Sequence, residues 1–141
     1  MGLDCSHDAF YGAYGAFNRL RKMVAAGCGG SFPPHDPEFR LDEGAEPEAG
    51  HWYFDDDVVP AEHVEGCMLF LAHSDCDGIL TPDECVKVAA FLRWVAEPAY
   101  RAGGGKWATG LLTRWGVQGT IERFAEGCEA AAAAGENLVF A

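Results

Sequence analysis

The first helix is predicted by mostly apolar and aromatic residues, with one arginine, that recur every three or four positions. They fall within "SHDAFYGAYGAFNRLRKMVAAGCGG", at Phe10, Tyr14, Phe17, Arg21 and Val24. Ser6 is a favourable N-cap, and Gly27 is a favourable helix stop. The pattern therefore predicts one helix from Ser6 to Gly27.

Three further helices follow from similar patterns. The stretch "AEHVEGCMLFLA" (61–72) is apolar almost all round near its end, which predicts a buried helix. The stretch "TPDECVKVAAFLRWVAEP" begins with a capping box at Thr81, and Pro98 is predicted to end its helix. A last helix is predicted from Thr120 to Gly135, and "NLVF" after it predicts a terminal strand.

A chain of 141 residues is long enough for one domain with a substantial core. We therefore predict a mainly α fold of about four helices with minor short strands, in one compact domain over residues 1–141. Residues 29–50 carry four prolines among acidic side chains, which predicts a long acidic loop inside this domain.

The charge balance excludes several classes of partner. Ten basic and 22 acidic side chains give a net charge of −12, so we expect no nucleic-acid binding and no attraction to anionic membranes. The N-terminus lacks the basic and apolar regions of a signal peptide, and the longest apolar run, "CMLFLA", is too short to span a bilayer. A cytoplasmic protein with reduced thiols is therefore expected. The bias toward Ala, Gly and Arg favours a bacterial or phage origin.

The stretch "HSDCDGILTPDE" (73–84) carries the clearest chemical pattern. It resembles the EF-hand loop, which has twelve residues, oxygen ligands at positions 1, 3, 5, 7, 9 and 12, and glycine at position 6. Gly78 falls at the sixth position, and Leu80 falls at the eighth, where an inward apolar residue is expected. The resemblance covers about residues 62–97. It implies a helix-loop-helix and metal ligands at His73, Asp75, Asp77, the Ile79 carbonyl, Thr81 and Glu84.

The loop departs from the EF-hand pattern at its first position, and its residues also have a purely structural interpretation. The first position of an EF-hand loop is normally Asp, whereas this chain has His73, whose imidazole suits softer ions than Ca²⁺. We therefore expect weak Ca²⁺ binding, with Mg²⁺ or Mn²⁺ as alternatives. No clear second EF-hand is present in the sequence to pair with the loop. Alternatively, Asp75 and Asp77 only shape a turn, while Thr81 and Glu84 only cap a helix.

The predicted first helix offers a second candidate site. Its polar and aromatic residues could line a pocket for a planar or anionic small ligand: His7, Tyr11, Tyr14, Arg19 and Arg21. The alternative is that its aromatic stripe faces the core. The motifs "SHDAFYGAYGAFNRLR" and "HSDCDG" also resemble small proteins of phages and actinobacteria, a resemblance that implies no activity.

Catalytic motifs are lacking from the sequence. No glycine-rich phosphate loop, nucleophile elbow or His-Glu-x-x-His occurs, so we predict neither catalytic residues nor an organic cofactor. A zinc site from Cys5, His7, His63 and Cys67 is conceivable, although its spacing matches no closed zinc motif. The sequence favours a small cytoplasmic module with a structural cation and a protein partner or small ligand. The alternative is a small-molecule-binding protein or minor enzyme that uses His7, Tyr14 and Arg21.

Overall fold

The computed structural model describes residues 2–30, 32, 52–74, 77–108 and 116–141. These ranges contain four helices: α1 (Tyr14–Gly27), α2 (Val64–Ala72), α3 (Pro82–Ala108) and α4 (Gly116–Ala134). Short 3-10 turns lie at Ser6–Asp8 and Ala61–His63. The chain is mainly helical in one compact domain, which confirms the predicted fold class. Most of the predicted acidic loop, 29–50, lies outside the described residues.

Four three-residue strands form two antiparallel pairs in the described part of the chain. β1 (Gly2–Asp4) pairs with β2 (Tyr11–Ala13), and β3 (Gly78–Leu80) pairs with β4 (Leu138–Phe140). β4 is the terminal strand that "NLVF" predicts. It also reaches the N-terminus, since Phe140 bridges to Cys5 and the backbones of Asp4 and Ala141 exchange two hydrogen bonds of 3.0 Å. β4 therefore joins the N-terminal strand pair to β3.

Phe17 of α1 lies at the centre of the core. Its ring centroid is 5.2 to 6.1 Å from those of four other aromatic rings: Phe10, Phe70, Phe124 and Phe140. These rings come from the segment before α1, from α2, from α4 and from β4. Contacts of this geometry stabilise a core beyond the apolar area that they bury. A single cluster of buried side chains thus unites elements from both ends of the chain.

The predicted first helix is wrong over its first eight residues, because α1 begins at Tyr14 and not at Ser6. His7 and Asp8 have φ values of 59° and 55°, in the left-handed region, which a right-handed helix cannot include. The Ser6 hydroxyl accepts a hydrogen bond from the Val139 amide of β4 instead of capping a helix. The chain then forms β2 against β1, a pairing that a local pattern does not reveal.

The third helix is longer than predicted, since α3 continues through Pro98 to Ala108. Ala99 is completely buried, and a Cβ placed on Gly27 would lie 2.7 Å from the Ala99 nitrogen. The end of α1 therefore packs directly on the backbone of α3 beside the proline, and this contact supports the helix there. Likewise α4 begins before Thr120, at Gly116. No helix within the described residues combines the length and the apolar character needed to cross a bilayer.

Candidate cation loop

Arg21 contacts the backbone where α2 ends and the 73–84 loop begins. Its guanidinium is buried between two aromatic rings, 4.3 Å from the Phe17 centroid and 5.1 Å from the Phe32 centroid. Nη1 donates hydrogen bonds to the carbonyl oxygens of Leu71, at 3.1 Å, and His73. A cation at the C-terminal end of a helix meets the negative end of its dipole. Arg21 therefore fixes the first residue of the loop to α1.

His73 folds its imidazole back across the loop. Nε2 lies 3.0 Å from the carbonyl oxygen of Ile79, and Nδ1 lies 2.8 Å from that of Ser74. The ring stacks on Phe140, with centroids 3.9 Å apart and planes 25° from parallel. Both oxygens are acceptors, so a neutral ring donates to one of them at a time, whereas an imidazolium donates to both. His73 thus connects the first and seventh positions of the loop through its own nitrogen.

The chain turns at Gly78, the first residue of β3. Gly78 has φ 105°, and a Cβ there would lie 3.1 Å from the His73 ring. Only glycine adopts this conformation without strain and leaves room for the imidazole. Leu80 is 2% exposed, which confirms the predicted inward position. β3 pairs with β4 in register Gly78↔Phe140 and Leu80↔Leu138, which connects the loop to the C-terminal end of the chain.

Thr81 and Glu84 form a capping box at the start of α3. The Thr81 amide donates to Oε1 of Glu84 at 2.9 Å, and the Glu84 amide donates to Oγ1 of Thr81 at 3.3 Å. The helix-capping role of both residues is therefore confirmed. Asp77 is exposed, and Asp75 lies outside the described residues.

Cys85, directly after Glu84, lies against α4 and β4. The Cys128 thiol and the Leu138 backbone amide donate to its sulfur, and His7 adds positive charge. These three effects outweigh burial and the charge of Glu84, and they lower the pKa of Cys85 to about 7. The same thiol contact and burial raise the pKa of Cys128. Nothing in the spacing of these cysteines along the sequence indicates the contact.

The residues predicted to line a small-ligand pocket make separate contacts in different parts of the fold. The His7 ring bonds to the Ser6 hydroxyl at 2.8 Å and to Glu136 at 3.2 Å, beyond the end of α4. Arg21 is buried against α2, while Tyr11 of β2 is 71% exposed. Arg19 is half-buried on α1, and the Tyr14 side chain lies outside what the structure describes. The described hydrogen bonds give His7 and Arg21 no common partner.

The four residues considered for zinc are not brought together. Within the described ranges, no three His, Cys, Asp or Glu side chains form a group that could hold a metal ion. Cys67 is buried in the core, and the His63 ring stacks on the Trp94 ring with centroids 5.7 Å apart. His73, Asp77 and Glu84 are among these described residues, whereas Asp75, which the cation loop would need, lies outside them.

Comparison of the chain with protein-family models, with curated protein sequences and with solved structures finds no match.

Proposed function

We propose that this protein is a small helical binding module whose 73–84 loop takes a divalent cation of the Ca²⁺ type, weakly and in a structural role. The observation that carries the proposal is the geometry of the loop. Gly78, in the left-handed region, begins β3, and β3 ends at the buried Leu80. Thr81 then caps α3, which begins at Pro82. A hard cation favours several oxygen donors around such a turn.

The donors that would hold the cation are those of the resemblance. Asp75 and Asp77 supply carboxylates, Ile79 supplies its carbonyl, and Thr81 and Glu84 supply the remaining side-chain oxygens. Two described contacts compete with this role. His73 occupies the Ile79 carbonyl, and the capping box occupies one oxygen of Glu84. Binding would exchange these hydrogen bonds, each worth about 1 kcal/mol, for cation contacts, which is why the affinity is weak.

The cation would act by tying α2 to α3. The loop joins the C-terminal end of α2 to the first turn of α3, and β3 connects it to the C-terminal strand. An ion that binds only the folded chain stabilises it by mass action. The experiment is a thermal unfolding series in Ca²⁺, Mg²⁺ and Mn²⁺, on the wild-type chain and on Glu84→Gln. A Tm that rises with one of these ions in the wild type, but not in the variant, supports the proposal.

A further inference from the structure

Ser6, His7 and Glu136 are joined side chain to side chain, although they come from opposite ends of the sequence. The Ser6 hydroxyl oxygen lies 2.8 Å from Nδ1 of His7, and Nε2 of the same ring lies 3.2 Å from Oε1 of Glu136. Ser6 and His7 belong to the 3-10 turn before β2, while Glu136 follows α4. The three side chains therefore form one continuous chain of hydrogen bonds.

The Glu136 carboxylate determines which ring nitrogen of neutral His7 carries the proton. An ionised carboxylate only accepts hydrogen bonds, so Nε2 is the protonated nitrogen that donates to it. Nδ1 is then an acceptor, and the Ser6 hydroxyl donates its hydrogen to Nδ1. This order of donors and acceptors is that of a nucleophilic serine, a general base and a carboxylate that orients the base.

An unusual backbone conformation accompanies the contact between Ser6 and His7. Adjacent side chains on a regular helix point to different sides and do not meet. Here His7 and Asp8 have φ values of 59° and 55°, which residues other than glycine adopt rarely and at a cost in strain. The Arg123 side chain of α4 supports the turn, since Nε donates to the Asp8 carbonyl oxygen at 2.8 Å. The fold therefore maintains a strained turn at the residue that would act as the base.

The Ser6 hydroxyl is both fixed in place and open to a small molecule. The Val139 amide of β4 donates to its oxygen at 2.8 Å. A hydroxyl oxygen can accept this bond, donate to Nδ1 and still keep one lone pair for attack. Ser6 is partly exposed, and the side chains of His7 and Glu136 are 20% and 63% exposed. A small substrate can therefore approach the group from solvent.

We propose that Ser6, His7 and Glu136 form an esterase site that transfers the acyl group of small activated esters to water. Ser6 is the nucleophile, His7 is the general base, and Glu136 is a positioning residue that holds the base. The substrates are short acyl esters of phenols, because a phenolate leaves readily and a short acyl group needs little binding surface. The inference goes beyond the proposed cation loop and does not depend on it.

The reaction has two balanced steps. Oγ of Ser6 attacks the ester carbonyl carbon while Nδ1 of His7 takes the hydroxyl proton, and the oxyanion forms next to the Val139 amide, which can donate to it. The intermediate expels the phenolate, which takes the proton from His7, and an acyl ester of Ser6 remains. Water then attacks this ester as His7 takes its proton, and the carboxylic acid and free Ser6 are released. One ester and one water yield one phenol and one carboxylic acid.

The first test measures hydrolysis of p-nitrophenyl acetate by the full chain in a buffer that contains a metal chelator. Ser6→Ala and His7→Gln should lower kcat/KM by about 100-fold, within the range that nucleophile and general-base contacts contribute. Glu136→Gln should lower kcat and leave KM unchanged, because the carboxylate orients the base rather than the ester. Glu126→Gln is the matched control, since Glu126 is exposed on α4, and it should leave both constants unchanged.

Ser6→Ala also removes the acceptor of the Val139 amide, so a second measurement uses the wild-type chain. A fluorophosphonate reacts with an activated hydroxyl, whose oxygen bonds to phosphorus as fluoride and the hydroxyl proton leave. Trypsin cleaves after Arg19, and fragmentation of peptide 1–19 in the mass spectrometer locates the label. The label should lie on Ser6 in the folded chain and be absent from chain unfolded in urea before the reagent is added.

Three results would overturn the proposal. The first is hydrolysis by Ser6→Ala at the wild-type rate, and the second is wild-type hydrolysis no faster than that of the buffer. The third is a label absent from Ser6, equally frequent in folded and unfolded chain, or placed instead on Tyr11, which is 71% exposed in the same peptide. The labelling result depends only on the wild-type chain, so a variant that folds poorly does not affect it.

Discussion

The imidazole of His73 bonds to the backbone of Ile79, with Nε2 3.0 Å from the carbonyl oxygen, so the first and seventh residues of the loop contact each other directly. In the EF-hand arrangement that the sequence resembles, these positions would meet through the cation. Here one side chain spans the same gap, and Phe140 supports its ring from the C-terminal strand. The proposed cation would therefore have to compete with His73 for the Ile79 carbonyl.

This competition leads to a prediction about metal and stability. With a dissociation constant on the order of 10⁻⁴ M, millimolar Ca²⁺ should add about 1.4 kcal/mol to the free energy of unfolding. For a chain of this size the gain corresponds to a rise in Tm of about 4 °C, measured by calorimetry. Glu84→Gln removes the carboxylate charge but keeps an oxygen for the helix cap, so it should abolish the rise. The other acidic residues remain in this variant, which controls for diffuse attraction of ions.

The variant His73→Asp distinguishes the structural contacts of residue 73 from its proposed role as a cation ligand. The variant loses the bond to Ile79 and the stacking on Phe140, so it should be less stable than the wild type by about 1 kcal/mol without metal. It gains an oxygen ligand, so its Tm should rise more steeply with Ca²⁺ than that of the wild type. If neither chain responds to Ca²⁺, Mg²⁺ or Mn²⁺, the loop is only a capped turn.

Arg21 should be among the most sensitive positions in the chain. Arg21→Met keeps much of the buried volume but leaves the Leu71 and His73 carbonyls without their donor, which should lower the free energy of unfolding by about 2–4 kcal/mol. Arg101→Met is the matched control. The Arg101 side chain is exposed, and its ion pair with Glu97 on the same helix is long, at 4.0 Å. Its effect should stay below about 0.5 kcal/mol. Urea unfolding measures the free energy of unfolding of both variants. Equal losses of this free energy would contradict the anchoring role of Arg21.

Loss of the capping box should lower the free energy of unfolding by less than loss of Arg21. Thr81→Ala removes the hydroxyl that accepts from the Glu84 amide, so the free energy of unfolding should fall by about 1 kcal/mol. Thr81→Ser retains the hydroxyl and should be close to wild type. Chemical denaturation of the three chains without metal tests the cap apart from any cation. A serine variant as unstable as the alanine variant would mean that the hydroxyl is unimportant.

Cys85 should ionise near neutral pH. Its pKa falls from the ordinary 9.0 to about 7 through the Cys128 thiol, the Leu138 amide and the charge of His7. The folded state therefore favours the thiolate, and this contribution to stability is present above pH 9 and lost as the pH falls through about 7. Thiolate ultraviolet absorbance should show a step near pH 7 that is absent from Cys85→Ala. In Cys128→Ala, which lacks the donor, the step should move to higher pH. A step that persists in Cys85→Ala belongs to another cysteine.

Much of the helical framework follows from local chemistry in the sequence. The stretch 61–72 contains α2, although only four of the nine α2 residues are buried and Met68 is exposed, and the capping residue Thr81 directly precedes the first residue of α3. The turn at Gly78, the inward Leu80 and the terminal strand also follow from residue type and spacing. These features are predictable because neighbouring residues determine them: caps, glycine conformation and helical or strand periodicity act over a few positions.

The tertiary structure alone decides the rest. Residues before Tyr14 form strands and a left-handed turn because β1, β2 and β4 meet there, which outweighs a helical pattern. Arg21 becomes a buried anchor because α2 ends beside it, and His73 turns inward because Phe140 arrives from the far end of the chain. The lowered pKa of Cys85 likewise depends on residues of α4 and β4 that lie far from it in the sequence. Such contacts join residues fifty or more positions apart, or on separate helices, and their energies depend on the whole fold rather than on local sequence.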